Sequence, residues 1–377
     1  MKGLLGVICM GAACCAVVAA PRVSLERTPE GGIQPQIVAD ATGTIHLLYY
    51  KGDAKAGNLF YTRRQNDTWG KTLRVNSREG SAIAAGTIRG GQMAVGQGGR
   101  VHVAWNGSKS MPDSSHEGVP MLYARLNDAG TAFEPERDLM TFTGQLDGGG
   151  SVAADNKGNV YVAWHGSAPD AKKGEAGRAV YVAKSTDGGA TFAKERQANA
   201  EPTGTCGCCG LKAFADRNGV LHILYRAATD VVNRSEILLI SNDGGNSFRK
   251  RHDDPWKVAS CPMSSAAITE AYDRVLAAWE TAGQVHLGIL DGGKLSRVVP
   301  PGGAGKRKHP VAASNQTGDI LMVWTEGTGW QRGGALAWQL FDKTGKPLEE
   351  RGREEGVPVW SFAAAYAKPD GSFVIVY

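Results

Sequence analysis

The sequence predicts an all-β protein, a β-propeller of six or seven blades in which each blade is a four-stranded antiparallel sheet. Three observations carry this reading. An alternating apolar strand, an Asp/Asn/Gly turn and a second strand ending in an aromatic residue recur seven times. The closing aromatics Tyr49, Trp105, Trp164, Tyr225, Trp279, Trp324 and Tyr377 stand about 55 residues apart. Between one pair and the next there is room for two more strands and no helical pattern. A period of that length filled only with strands belongs to sheets repeated around a ring or along an array.

Taken in order, the second strands fall at residues 45–49, 101–105, 160–164, 221–225, 275–279, 320–324 and 373–377. First strands are clearest at 36–40, 151–155, 211–216, 310–314 and 362–368. Residues 179–184 and 193–198 show the third and fourth strands that complete a meander. Six full units fill the chain to about residue 359, and the seventh has only its first two strands before Tyr377. The weakly alternating stretch 22–28 is available to complete that last sheet. Closing the ring in this way removes the exposed edges on which open sheets aggregate. Residues 21–377 are therefore expected to form one domain closed by its own termini.

Two octapeptides stand where a third strand should turn into a fourth. They are Ser185-Thr186-Asp187-Gly188-Gly189-Ala190-Thr191-Phe192 and Ser241-Asn242-Asp243-Gly244-Gly245-Asn246-Ser247-Phe248. Their chemistry is that of a tight hairpin: the Asp187 or Asp243 carboxylate accepts turn amides, the glycines take positive φ and the aromatic packs between sheets. These segments resemble the Asp-box, or BNR repeat, of sialidase-like propellers. The resemblance implies a ring of six blades, whereas the strand pairs count to seven. It also implies an exo-α-sialidase-like glycoside hydrolase, whose substrate carboxylate is held by arginines, the first in an Arg-Ile-Pro motif. Here that place reads Ile33-Gln34-Pro35, which lacks the guanidinium fork.

Lys2 is the only charge in residues 1–20, an apolar run follows, and Val17, Ala19 and Ala20 offer a cleavage site, so a secretory signal peptide is expected there. The mature protein is then exported, periplasmic or extracellular. Lipid anchoring at Cys14 stays open as an alternative, although the bulky aliphatic residue usual three places before the cysteine is missing. No run is long enough to span a bilayer as a helix. The 42 Lys+Arg and 37 Asp+Glu are mixed along the chain, which argues against a nucleic-acid partner.

Removing the leader leaves four of the seven cysteines, Cys206, Cys208, Cys209 and Cys261. A domain of this size needs no staples to build a core, so the purpose of these four lies elsewhere. In a propeller meander, loops before first strands and after second strands share one face. That face gathers Cys206, Cys208 and Cys209 before the fourth blade, Cys261, Pro262 and Met263 before the fifth, and His309 before the sixth. From the ends of second strands it adds Asn106, His165, Arg226, Glu280 and Glu326, with Arg332 close behind.

A Cys-x-Cys-Cys loop facing Cys-Pro-Met is a soft donor set, suited to copper(I) or zinc, and His309 or His165 is available to complete it. In an oxidising compartment the same four cysteines could instead pair as disulfides that pin the fourth blade to the fifth. The leading expectation is a binding protein for a metal, small-molecule or glycan ligand, with Asn106, His165, Arg226 and Arg332 as ligand-binding candidates. One alternative is a sialidase-like hydrolase using Glu280 and Glu326, assisted by Arg226. The other is an interaction scaffold with structural disulfides.

Overall fold

The computed structural model describes residues 22–377 apart from 66, 67, 110–117, 272, 292, 293 and 304. The expected signal peptide and Cys14 lie outside the described residues. Seven sheets are arranged as a closed propeller, and among the described residues there is no α-helix, only three single 3₁₀ turns. The inner strands are Ile33–Ala39, Gln92–Val95, Gly150–Ala154, Lys212–Ala215, Ala267–Glu270, Arg307–Ser314 and Ala364–Ala367, in blades one to seven. Each touches the inner strand of the next blade, and the contact between blades seven and one closes the circle.

The second strands show why this sequence must form a ring. They are buried throughout, so each needs cover on both faces, and their period of two divides the residues between two neighbours. Val101, Val103 and Trp105 of blade two pack on Leu48, Tyr50 and Leu59 of blade one, while Ala104 of the same strand joins Val160, Val162 and Trp164 of blade three. The same division recurs at every junction, ending with Val374 and Val376 of blade seven against Ile45, Leu47 and Tyr49 of blade one. The closing aromatics thus lie between blades, with Trp105, Trp164 and Trp279 fully buried.

Turns between first and second strands are set by an acid or amide five residues ahead of the second strand. Asp155 Oδ1 accepts from the amides of Lys157 at 2.8 Å and Asn159 at 2.9 Å, and Gly158 between them takes φ 84°. Asp40, Asp216 and Asn315 repeat the device. Histidines in second strands complete it: His46 Nε2 meets Asp40 Oδ2 and His222 Nε2 meets Asp216 Oδ2, each at 3.1 Å. At the octapeptide turns, Asp187 Oδ1 accepts the Thr191 amide at 2.9 Å, Gly188 and Gly189 have φ 66° and 78°, and Phe192 packs edge-on against Tyr123 of the preceding blade. Asp243 does the same for Ser247.

Two details differ from the sequence reading. The fourth strand of blade three is only Arg196–Gln197, not 193–198. Glu195 leaves the ladder because its carboxylate accepts the amides of Thr141, Phe142 and Thr143 in the loop ahead of that blade. Blade seven has three strands among the described residues, and Val23–Glu26 joins it parallel to Phe373–Val376 rather than antiparallel. The Arg27 guanidinium lies 3.9 Å over the Tyr377 ring, and Arg64 of blade one pairs with Glu26 at 3.2 Å, so the first strand bolts the last blade to the first.

A chain beginning at Pro29 should therefore lose on the order of 3 kcal/mol, from backbone bonds worth about 1 kcal/mol each, and should aggregate through the bared edge of 373–376. Thermal melts and light scattering read both effects. An unchanged melting temperature would contradict this account of closure.

Candidate metal centre

The four cysteines sit where loops of three blades converge. A 3₁₀ turn at Glu175–Gly177, in the loop after the second strand of blade three, presents Glu175 toward blade four. Its carbonyl accepts the Thr205 amide at 3.0 Å and its carboxylate accepts the Gly207 amide at 2.8 Å. The Cys206 amide donates to the Arg226 carbonyl at 2.9 Å, the Cys209 amide turns back to Cys206 at 3.3 Å, and Gly210 donates to Ser264 of the blade-five loop at 2.8 Å. A Cβ at Gly207 would meet only the ends of the Arg178 and Asp147 side chains, which can swing aside, whereas at Gly148 it would stand 2.4 Å from the Gly207 carbonyl oxygen, so the close approach of the two loops requires glycine at 148.

Pinned in this way, Cys206 Sγ lies 3.4 Å from Cys208 Sγ and 3.3 Å from Cys209 Sγ. Cys206 and Cys209 are buried, Cys208 is half-buried and Cys261 is exposed, and all four are free thiols. The sulfurs of Cys208 and Cys261 and a Glu175 carboxylate oxygen also lie within 4.8 Å of one another.

The surroundings are charged and largely out of water. Arg234 Nη1 donates to Cys206 Sγ at 2.8 Å, while its Nη2 meets Glu175 at 2.8 Å. Arg226 is buried between Glu236, at 3.0 Å, and Glu280, at 3.8 Å. Burial pushes the Glu236 carboxyl up to about 8 against the pull of Arg226, and burial raises Glu280 as well. Within the thiol group, burial opposes ionisation of Cys209, yet bonds from Cys206 and Cys208 and the Arg226 charge outweigh it and lower this thiol. Cys208 is raised by the bonds it gives to Cys206 and Cys209, so it keeps its proton.

The remaining predicted residues are placed as follows. His165 is fully buried, with neither ring nitrogen hydrogen-bonded, and burial brings it down to about 4. His309 Nδ1 meets Ser265 Oγ at 3.0 Å, and burial brings it to about 3. Both imidazoles feel the charge of Cys209, but neither belongs to a sulfur triangle. Met263 is half-buried with φ 49°. Asn106 donates to the Asp147 carbonyl at 3.1 Å, and Arg332 caps its own turn by donating to Gly327 at 2.8 Å. Glu326 is held by Trp324, Arg307 and Arg353, and Glu280 by Arg226 and the Gly283 amide, so the two carboxylates serve separate networks.

Sequence reasoning missed Glu175, Arg234 and Glu236. Glu236 had a legible signal: a lone acid heads the apolar strand Glu236–Ser241, directly opposite Arg226. Lys212 was missed too. It reaches past blade three to Gln92 Oε1 at 3.1 Å, and burial lowers its ammonium to about 8.

No protein family's sequence pattern matches this chain. No curated protein matches it in sequence either. Its fold, however, is similar to that of solved sialidases. A Hadza microbial sialidase aligns at 13% identity and TM-score 0.52 over 83% of this chain and 69% of its own. The Trypanosoma rangeli sialidase aligns at 14% and 0.54 over 79% of this chain, which spans about half, 53%, of that longer protein. A Dyadobacter fermentans protein of unknown function aligns at 14% and 0.51, covering 78% of this chain and 90% of its own. At these identities the likeness is one of fold: a sialidase-like propeller, here with seven blades.

Two outcomes follow from the buried charges. Arg226→Met strands Glu236 and Glu280 without their cation and should cost about 3–5 kcal/mol in chemical denaturation, part of which Glu236→Leu in the same chain restores. Wild-type stability of the single variant would contradict the pairing. The second concerns pH. His102, at about 3, His165 and His286, at about 4, and His309, at about 3, are all held by burial below the ordinary 6.5. The unfolded chain therefore binds more protons below pH 6.5, so stability is complete above that pH and falls as pH drops toward 3. Each group contributes up to about 1.4 kcal/mol per pH unit. Melts between pH 7 and 4 should show the decline, and His102→Gln should flatten it; a pH-independent melting temperature would refute it.

Proposed function

We propose that this chain is an exported binding protein that holds a soft metal ion, copper(I) or zinc, on the sulfurs of Cys206, Cys208 and Cys209. The observation that carries the reading is the sulfur triangle itself, with separations of 3.3 and 3.4 Å around Cys206. Three thiolates sharing one ion at about 2.3 Å would stand about 3.8 Å apart, so the loop need open by only a few tenths of an ångström. Thiolates select copper(I) and zinc over harder cations. Arg234, bonded to Cys206 Sγ at 2.8 Å, and the buried Arg226 offset the negative charge that thiolate ligands bring.

The hydrolase reading gains less. In place of the arginine of the sialidase motif stands Gln34, buried and occupied by the carbonyls of Ala84 and Trp360. The disulfide reading remains a distinct chemical outcome, because these thiols need only small movements to pair.

The test is metal analysis of tag-free protein purified without chelators, together with thiol titration. The expected result is a stoichiometric ion, with affinity lowered at least about 100-fold by Cys208→Ser or Cys209→Ser, since loss of a ligand exceeds the usual penalty for losing a supporting group. Four freely titrating thiols and no retained copper or zinc would overturn the proposal.

A further inference from the structure

The four sulfurs do not all lie within 4.8 Å of one another. They form two triangles of donors with one corner in common: Cys206, Cys208 and Cys209, and then Glu175, Cys208 and Cys261. Donors on a single ion at about 2.3 Å cannot be farther apart than about 4.6 Å, so one ion cannot serve the whole set as it stands. The donors of each triangle, by contrast, lie within 4.8 Å of one another, close to the span of one ion's ligand shell.

We propose that the cluster is a two-ion site in which Cys208 Sγ bridges a buried inner ion and an outer ion that faces solvent. This rests on the reading that the sulfur loop binds metal. The two positions differ in kind. The inner triangle is all sulfur, with Cys206 and Cys209 buried. The outer one is two sulfurs and a carboxylate, a mixed set that suits zinc, and its Cys261 is exposed. A thiolate has lone pairs enough to bind two ions.

Glu175 is held for the task. Its carboxylate accepts from Gly207 and Arg234 Nη1 on Oε1 and from Arg234 Nη2 on Oε2, which fixes its orientation and leaves Oε2 a further lone pair for an ion. The same Arg234 donates to Cys206, so one guanidinium ties the outer triangle to the inner. The outer set also joins three blades, with Glu175 from the third, Cys208 from the loop before the fourth and Cys261 from the loop before the fifth.

The experiment loads the reduced, tag-free chain with excess zinc, removes unbound ion by gel filtration and counts zinc per chain. Two are expected in the wild type, and one in Cys261→Ser and in Glu175→Gln. Cys208→Ser should lose the bridge and hold fewer than either. Cys261 is exposed and should be replaced without loss of fold, which an unchanged melting curve of the metal-free variant verifies; Gln at 175 keeps an acceptor for Gly207. One zinc in both wild type and Cys261→Ser would overturn the second site and leave the sulfur loop as a single-ion site. Two zinc ions in both would also overturn it. No zinc in any variant would overturn this inference; copper(I) still retained by the chain would then leave the proposed function standing, and retention of neither ion would overturn both.

Discussion

Each blade is a sheet with two apolar faces, and the only thing available to cover a face is another blade. Everything else in the molecule depends on that constraint. Trp105 and its strand-mates must look one way and Ala104 the other, so no blade can be satisfied until a neighbour stands on each side. The chain meets this requirement only by returning on itself, and the strand Val23–Glu26 against Phe373–Val376 is the join. Because the blades are packed rigidly, their loops converge on one face at fixed spacings. A sulfur from the blade-four loop and one from the blade-five loop can then share a ligand shell without any long segment folding over them.

The same rigidity allows charge to be kept inside. Arg226, Glu236 and Glu280 are each almost wholly buried, an arrangement that costs desolvation and is worth little to stability beyond what an apolar trio would give. Its position explains it better than stability does. Arg226 contributes to lowering the Cys209 thiol, its backbone carbonyl receives the Cys206 amide, and Arg234 beside it bonds Cys206 directly. Cations set behind a thiol cluster offset the negative charge that the cluster acquires when its protons leave. The orphaned imidazole of His165 and the near-isolated Lys212 belong to the same polar lining of an otherwise apolar ring.

Much of this was legible in the sequence, because a propeller writes its period into the chain. The aromatic at the end of each second strand marks a buried interface, and strand alternation fixes which loops share a face. The cysteines could be put in phase for that reason. The number of blades was not settled by sequence, since the family resemblance implied six and the strand pairs seven; the structure has seven. What the sequence did not disclose was Glu175, which enters from a loop some thirty residues upstream through a short 3₁₀ turn and carries no motif of its own. Nor did it disclose that Cys261 falls beside Cys208 and not within reach of all three clustered sulfurs, because phase places a residue on a face but does not fix side-chain distances. Glu195 leaving its ladder to cap a neighbouring loop was hidden for the same reason.

The most direct measurement is X-ray absorption at the metal edge of the reduced, metal-loaded protein. This account predicts a first shell dominated by sulfur at about 2.3 Å. A first shell of nitrogen and oxygen alone would contradict it, because the ion would then be bound somewhere other than the loop of Cys206, Cys208 and Cys209.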